Sequence, residues 1–148
     1  AELEAQFQEI MKLHETVEGK YEKLKKERDN EDLIDSLAYK LHNLYTAYED
    51  LFKIIAYYFE NQIEDPRRYH TMLLKRMTLE IEGVRPFLLS QDTFRILNEL
   101  RAFRHFFRHA YGYEIEGQRV MALAEKTLAL KNLFTKDYRG FLQKIKNI

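Results

Sequence analysis

Apolar side chains recur every three or four residues along most of the chain, which is the spacing of one face of an α-helix. The clearest example lies between residues 37 and 58, where the steps alternate between four and three. Its members are Leu37, Leu41, Leu44, Tyr48, Leu51, Ile55 and Tyr58. Comparable stripes run through residues 3–24 and 120–145. No segment shows the alternation of a half-buried strand, so the pattern predicts an all-α protein.

Helix-capping residues and helix breakers divide this pattern into about five helices. Asn30 and Ser90 are good N-cap residues, Pro66 suits a first helical turn, and Gly83 and Gly112 are typical of helix ends. The predicted helices run from 2 to about 28, from 30 to a turn at 62–68, from that turn to about 82, from 90 to about 112, and from about 118 nearly to the end. Short connections favour antiparallel neighbours, so we expect an up-down helical bundle.

The second predicted helix is apolar on more than its main stripe. Further aromatic residues widen its apolar surface, namely Tyr39, Tyr45, Phe52, Tyr57 and Phe59. A helix of this kind packs against more than one neighbour, and a second copy of the chain is one candidate.

The overall composition is that of one globular domain. With 148 residues, 45% of them hydrophobic and 32% charged, the chain can bury about two-thirds of its unfolded surface. We therefore expect a single domain over residues 1–148, in which residues 1–28 are either part of the core or an extension of it. The chain has neither an apolar run of about 18 residues nor a signal-peptide core, which predicts a cytoplasmic protein without a membrane segment.

Charge and cysteine content exclude several classes of protein. The 24 basic residues balance 24 acidic ones, so any nucleic-acid binding must use a local patch. The absence of cysteine excludes disulfide scaffolds and thiolate zinc sites. The sequence also has no Gly-rich phosphate loop, no Gly-x-Ser-x-Gly and no His-Glu-x-x-His motif.

Residues 100–115, LRAFRHFFRHAYGYEI, are the local exception to this mixed charge. Between Arg101 and His109 the stretch has three arginines and two histidines but no carboxylate. Helical geometry places Arg101, Arg104, His105 and Arg108 on one face, with His109 at its margin. Because like charges three or four residues apart repel, we expect this face to bind an anion or to meet carboxylates from elsewhere in the fold. For Arg101 and Arg108 both alternatives stay open.

Arg104, His109 and Tyr111 form an Arg-x4-His-x-Tyr motif, followed by Gly-Tyr-Glu-Ile at 112–115. This motif resembles the signature of the HepT-like ribonuclease toxins of the HEPN superfamily. Those proteins are all-helical domains in which the motif lies near the C-terminal end of a bundle helix, ahead of the last long helix. The resemblance extends from about Asn30 onward.

The resemblance implies an endoribonuclease toxin of a type II toxin–antitoxin system that cuts RNA by attack of its own 2′-OH, without metal or cofactor. Arg104 would bind the phosphate and stabilise the transition state, and His109 would perform acid–base catalysis. Arginine offers a planar cationic fork, and histidine titrates near neutral pH. His105 would be either a second acid–base group or a positioning residue. Arg101 and Arg108 are not part of the motif, but they share its helix face and would deepen the phosphate site.

The resemblance also implies partners. A homodimer would bring the motifs of two protomers face to face across a cleft. A cognate antitoxin, a nucleotidyltransferase of the MNT type, would transfer AMP to Tyr111 and so obstruct RNA binding. Alternatively, Tyr111 only covers the helix end.

Other functions also fit parts of this pattern. One is a non-catalytic helical module that binds nucleotide or RNA for a partner nucleotidyltransferase. Another is an interaction domain whose basic face docks an acidic protein surface. His105 and His109 have a spacing that could chelate a metal, but Arg104 and Arg108 would repel the cation, so we expect no metal. His14 is predicted to pack inside the bundle, whereas His42 and His70 look isolated.

Overall fold

The structure, a computed structural model, describes residues 2–60, 69–109 and 115–146, without the side chains of 69–71. Five α-helices lie in these residues: α1 Glu2–Lys26, α2 Glu31–Ile55, α3 Tyr69–Arg76, α4 Gln91–Arg108 and α5 Gly117–Lys146. The described residues include no strand, and one isolated antiparallel bridge pairs Ile81 with Arg85. The all-α prediction is confirmed. No helix in these ranges combines the length and apolarity needed to span a bilayer.

Consecutive long helices pack antiparallel, as expected for an up-down bundle. In each packed pair, successive contacts advance along one helix and go back along the other. These contacts are Glu2–Tyr58 and His14–Tyr48 for α1 with α2, His42–Phe107 and Thr46–Arg104 for α2 with α4, and Glu99–Lys126 and Phe103–Arg119 for α4 with α5. The C-terminal end of α4 therefore lies beside the N-terminal half of α2.

α2 lies at the centre of the bundle, in contact with α1, α3, α4 and α5. Six of the seven residues of its predicted stripe are completely buried. Of the further aromatic residues on this broad apolar face, Tyr45 and Phe52 are buried, whereas Tyr39 and Tyr57 are exposed, so the face packs only in part within its own chain. Tyr58 is the exception in the stripe at 63% exposed. A π-helical turn at Ala56–Glu60 follows Ile55 and changes the number of residues per turn, so the spacing no longer predicts the buried side.

The packed position predicted for His14 on α1 is confirmed. Its Nε2 lies 2.6 Å from the hydroxyl oxygen of Tyr48, and both side chains are buried. Burial lowers the pKa of His14 to about 3, and the nearby charge of Lys131 contributes to this shift. His14 is therefore a neutral member of the core at physiological pH.

The prediction that the third helix reaches Glu82 is wrong, because α3 ends at Arg76. The chain then forms a tight turn in which Gly83 has a φ of +77°. Such a backbone conformation is readily adopted by glycine and costs other residues energy. Gly83 thus serves this turn and does not end a helix.

Arg85 explains why the helix stops early. Its side chain is completely buried and donates to the backbone carbonyls of Arg76, Leu79 and Pro86 at 3.0–3.1 Å. Its Nε lies 3.3 Å from Glu60, which also pairs with Arg76. The guanidinium thus binds the carbonyl of Arg76, which a helix continuing to Glu82 would have bonded internally.

The start of α4 follows the sequence prediction. Ser90 is the N-cap, and its side chain accepts a hydrogen bond from the amide of Thr93. Both the amide and the hydroxyl of Ser90 also donate to the carboxylate of Asp137 on α5, at 2.9 and 3.0 Å. These hydrogen bonds fix the N-terminal end of α4 on α5. The direction of the helix, and with it the position of its basic C-terminal end, is thereby defined.

Candidate functional site

Five of the six predicted site residues lie on the last two turns of α4 and at its C-cap. Arg101 and Arg104 are half-buried, whereas His105, Arg108 and His109 are exposed. The structure thus brings these five side chains to one end of the bundle. Tyr111, the sixth, lies outside the described residues.

Arg104 reaches across to α2. Its Nε donates to the hydroxyl oxygen of Thr46 at 3.0 Å, and that hydroxyl donates to the carbonyl of His42 at 3.1 Å. The threonine hydroxyl has one proton and two acceptor positions, so it can make both bonds at once. This bond through Nε fixes the orientation of the planar guanidinium of Arg104, and guanidinium is the side-chain group that suits bidentate binding of a phosphate.

His42 is not isolated, contrary to the interpretation of the sequence. Its ring centroid lies 5.4 Å from that of Phe107 on α4 and 6.4 Å from that of Tyr39. Burial lowers the pKa of His42, and the positive charges of Arg104 and Arg108 lower it further, against a hydrogen bond with Asn43 that raises it. His42 is therefore uncharged at neutral pH and lies beside the two arginines.

His105 and His109 are neighbours at the end of α4. Their ring centroids are 4.8 Å apart with planes inclined at 63°. His109 is the C-cap residue, and its amide donates to the carbonyl of Phe106 at 3.1 Å. Two exposed imidazoles at this separation, next to Arg108, form a cluster that can exchange protons with a bound phosphate ester.

For Arg101 and Arg108, the sequence left open whether they bind an anion or pair with carboxylates of the fold. Arg101 donates through Nε to the side-chain oxygen of Asn98 at 3.0 Å, one turn earlier on the same helix. Within residues 2–60, 72–109 and 115–146, no carboxylate lies within 4.0 Å of either guanidinium. In this part of the chain, the carboxylate pairing considered for these two arginines is not found.

On the other side of α4, α5 contributes a further cation. The guanidinium carbon of Arg119 lies 4.7 Å from the ring centroid of Phe106 and 5.8 Å from that of Phe103. A groove of about 240 Å³ lies beside these residues, bordered by an ion pair between Glu99 and Lys126 at 2.8 Å. Glu99 and Lys126 are paired across this groove, whereas Arg119 lies against the two phenylalanine rings.

Sequence reasoning missed the contribution of α2 to this site. Tyr39, His42 and Thr46 follow one another at steps of three and four on α2, beside the buried stripe. That spacing marks a second face of the helix and was a usable signal. Its significance depends on α4, which lies 58 residues away in sequence at the Thr46–Arg104 contact.

Comparison with protein families identifies the chain over most of its length. The profile of the family described as HepT-like protein matches residues 36–145, which comprise most of α2, all of α3 and α4, and α5 except its last residue. Comparisons with curated proteins and with solved structures gave no match. The HepT-like family is part of the HEPN superfamily, whose members are generally ribonucleases. Because the match covers about three-quarters of the sequence and includes the whole basic end of α4, the chain belongs to the HepT-like family.

Proposed function

We propose that this protein is a metal-independent endoribonuclease, the toxin of a type II toxin–antitoxin system. The observation that carries this proposal is the cluster at the end of α4. Arg104, bonded to Thr46, lies on the same two turns as the exposed residues His105, Arg108 and His109. Cationic and proton-transferring groups are thereby available together, which is what cleavage of a phosphodiester requires.

The reaction needs no co-reactant beyond RNA. A base removes the proton of a 2′-OH, the 2′ oxygen attacks the adjacent phosphorus, and the bond to the 5′ oxygen breaks. The leaving oxygen takes up a proton, so the products carry a 2′,3′-cyclic phosphate and a 5′-hydroxyl. Two proton transfers and extra negative charge on the phosphate are the steps that the protein must assist.

The residues at the end of α4 suit these steps. We assign phosphate binding and transition-state stabilisation to Arg104, and acid–base catalysis to His109. His105, 4.8 Å from His109 between ring centroids, is assigned to positioning that imidazole. Arg101 and Arg108 attract and orient the neighbouring backbone of the RNA.

The rest of the proposal comes from the family resemblance. It includes a homodimer with the two motifs facing across a cleft, and a partner nucleotidyltransferase of the MNT type that adds AMP to Tyr111. It also includes location in the cytoplasm and a single domain over residues 1–148, with α1 as an extension that precedes the family match. α1 packs on α2 and α5, which supports counting it with this domain.

The test is cleavage of an end-labelled single-stranded RNA by purified protein in the presence of EDTA. We expect cyclic-phosphate products from the wild type, and a rate lower by about 10²- to 10³-fold for Arg104→Ala, in line with the loss of one transition-state contact. For His109→Ala we expect a loss of about 10²- to 10⁴-fold. Arg95→Ala is the matched control, because Arg95 is an exposed arginine near the other end of α4.

Two outcomes would contradict the enzyme assignment. A folded wild-type protein that leaves RNA intact, as do both variants, would refute it. RNA binding without cleavage, weakened by Arg104→Ala but kept by His109→Ala, would assign the non-catalytic binding module instead.

A further inference from the structure

Three aromatic rings lie next to one another where α2 meets the end of α4. Tyr39 and His42 lie one turn apart on α2 with nearly parallel rings, inclined at 8°. Phe107 of α4 completes the group, 6.5 Å from Tyr39 and 5.4 Å from His42 between ring centroids. Tyr39 is 53% exposed, whereas the other two are half-buried. We call these three residues the aromatic shelf.

The shelf is held from its inner side. The ring of Phe107 stacks on the buried ring of Phe103, with centroids 6.1 Å apart. The backbone of His42 accepts the Thr46 hydroxyl that also binds Arg104. A flat ligand that stacks here therefore meets a surface already in place, so that little conformational entropy is lost on binding.

Positive charge surrounds the shelf. Arg104 and Arg108 are close enough to lower the pKa of His42, and the Lys40 ammonium lies 5.8 Å from the centre of the Tyr39 ring. Burial and the charges of Arg104 and Arg108 lower the pKa of His42, which disfavours a positive charge within the shelf itself. Aromatic faces within a positively charged groove are the combination by which proteins bind single-stranded nucleic acid.

We propose that the aromatic shelf is a nucleobase subsite, on which a base of single-stranded RNA stacks next to the phosphate bound by Arg104. A nucleotide carries its base and its phosphate on one ribose, so a site for it needs an aromatic surface and a guanidinium side by side. Thr46 connects these two parts, since its hydroxyl bonds both Arg104 and the backbone of His42. This inference rests on the proposed function in taking RNA as the ligand, but it requires no cleavage.

Charge favours RNA over a second copy of the chain as the occupant of this surface. A direct two-fold contact through the shelf would press Lys40 and Arg108 of two copies together, whereas the proposed dimer leaves a cleft between its facing motifs in which RNA can lie. RNA supplies aromatic bases and phosphates to the same surface. Self-association through the shelf is therefore treated as a competing outcome of the test.

The experiment measures binding of a ten-nucleotide 2′-O-methyl RNA, which cannot be cleaved, and of its abasic counterpart with the same phosphates. We expect Tyr39→Leu to weaken binding of the RNA by roughly 5- to 100-fold, the range for losing one base–aromatic stack. Tyr39→Phe keeps the ring and should bind like the wild type. Tyr57→Leu is the matched control, because Tyr57 is equally exposed at 54% but lies in the π-helical turn. With the abasic chain, Tyr39→Leu and the wild type should bind equally.

The outcomes separate this inference from the proposed function. If the wild type binds the RNA in an Arg104-dependent way but Tyr39→Leu binds it equally well, the shelf assignment is wrong and the RNA function stands. If the wild type does not bind RNA, the proposed function fails, and the shelf loses its ligand with it. Dissociation of a dimer by Tyr39→Leu with unchanged RNA affinity, seen by sedimentation, would make the shelf a protein interface and overturn the inference.

Discussion

Arginine side chains cluster at two places in the described structure, around Glu60 and at the C-terminal end of α4. Around Glu60, the buried guanidinium of Arg85 is bonded to a carboxylate and to three backbone carbonyls. At the end of α4, Arg101 is bonded to the neutral side chain of Asn98, and Arg104 is bonded through Nε to the hydroxyl of Thr46.

The difference lies in what happens to the charge. A carboxylate next to a buried guanidinium neutralises it, and such a pair holds the fold together. At the end of α4, a neutral oxygen fixes the direction of each of these two guanidinium groups and does not itself contribute a negative charge. This comparison can therefore be tested by mutations in each cluster, with the free energy of unfolding and the rate of RNA cleavage measured separately.

The largest effect on stability is expected for Glu60→Gln. Removing the negative charge leaves the completely buried Arg85 without its counter-ion, which should lower the free energy of unfolding by about 3 kcal/mol or more. Urea denaturation followed by circular dichroism measures this change. Glu99→Gln is the control, because the Glu99–Lys126 pair is about half-exposed and its loss should cost less than about 1 kcal/mol. If the two variants were equally stable, the Glu60–Arg85 pair would not hold the fold together more strongly than an exposed ion pair does.

A second, smaller effect on stability is expected from the buried histidine His14, and it depends on pH. The pKa of His14 is lowered to about 3 by burial, so the folded protein does not take up the proton that the unfolded chain binds below its ordinary pKa of 6.5. Stability from neutral His14 is thus complete above pH 6.5 and is lost as the pH falls toward 3.

His14→Leu should reduce this dependence, because the variant has no imidazole to titrate. Between pH 7 and pH 5, we expect the wild type to lose about 2 kcal/mol more than the variant in urea unfolding. Parallel pH profiles for the two proteins would mean that His14 is not kept neutral by the fold.

The smallest effect is expected for Thr46→Val, which keeps the shape of the side chain and removes its hydroxyl. Without the bond to Nε, Arg104 is less well oriented, so RNA cleavage should slow by about tenfold while the free energy of unfolding changes by about 1 kcal/mol or less. Thr46→Ser restores the hydroxyl and should recover most of the rate, a rescue that a merely structural role would not produce. If the serine variant is as slow as the valine variant, Thr46 does not position Arg104.

The sequence predicted those features of the fold that are fixed by residues close together in the chain, and it failed for features fixed by distant contacts or by a local change of helix type. The stripe of α2 from Leu37 to Ile55 is buried as predicted, because helical periodicity decides the facing of each side chain within a few residues. The N-caps Asn30 and Ser90 are confirmed for the same reason. The prediction was wrong at Tyr58 and at the end of α3. There, a π-helical turn and the buried Arg85 decided the outcome, and neither follows from periodicity.

For the candidate site, the sequence by itself predicted Arg104 and His109, because the Arg-x4-His-x-Tyr resemblance selects these two residues from the run of basic side chains on one helix face. It also indicated the family, which the match over residues 36–145 establishes. Only the tertiary structure decided that Thr46, His42 and Tyr39 belong beside them. Antiparallel packing of α2 against α4 joins segments about sixty residues apart, and such a contact depends on the whole core and not on any local pattern.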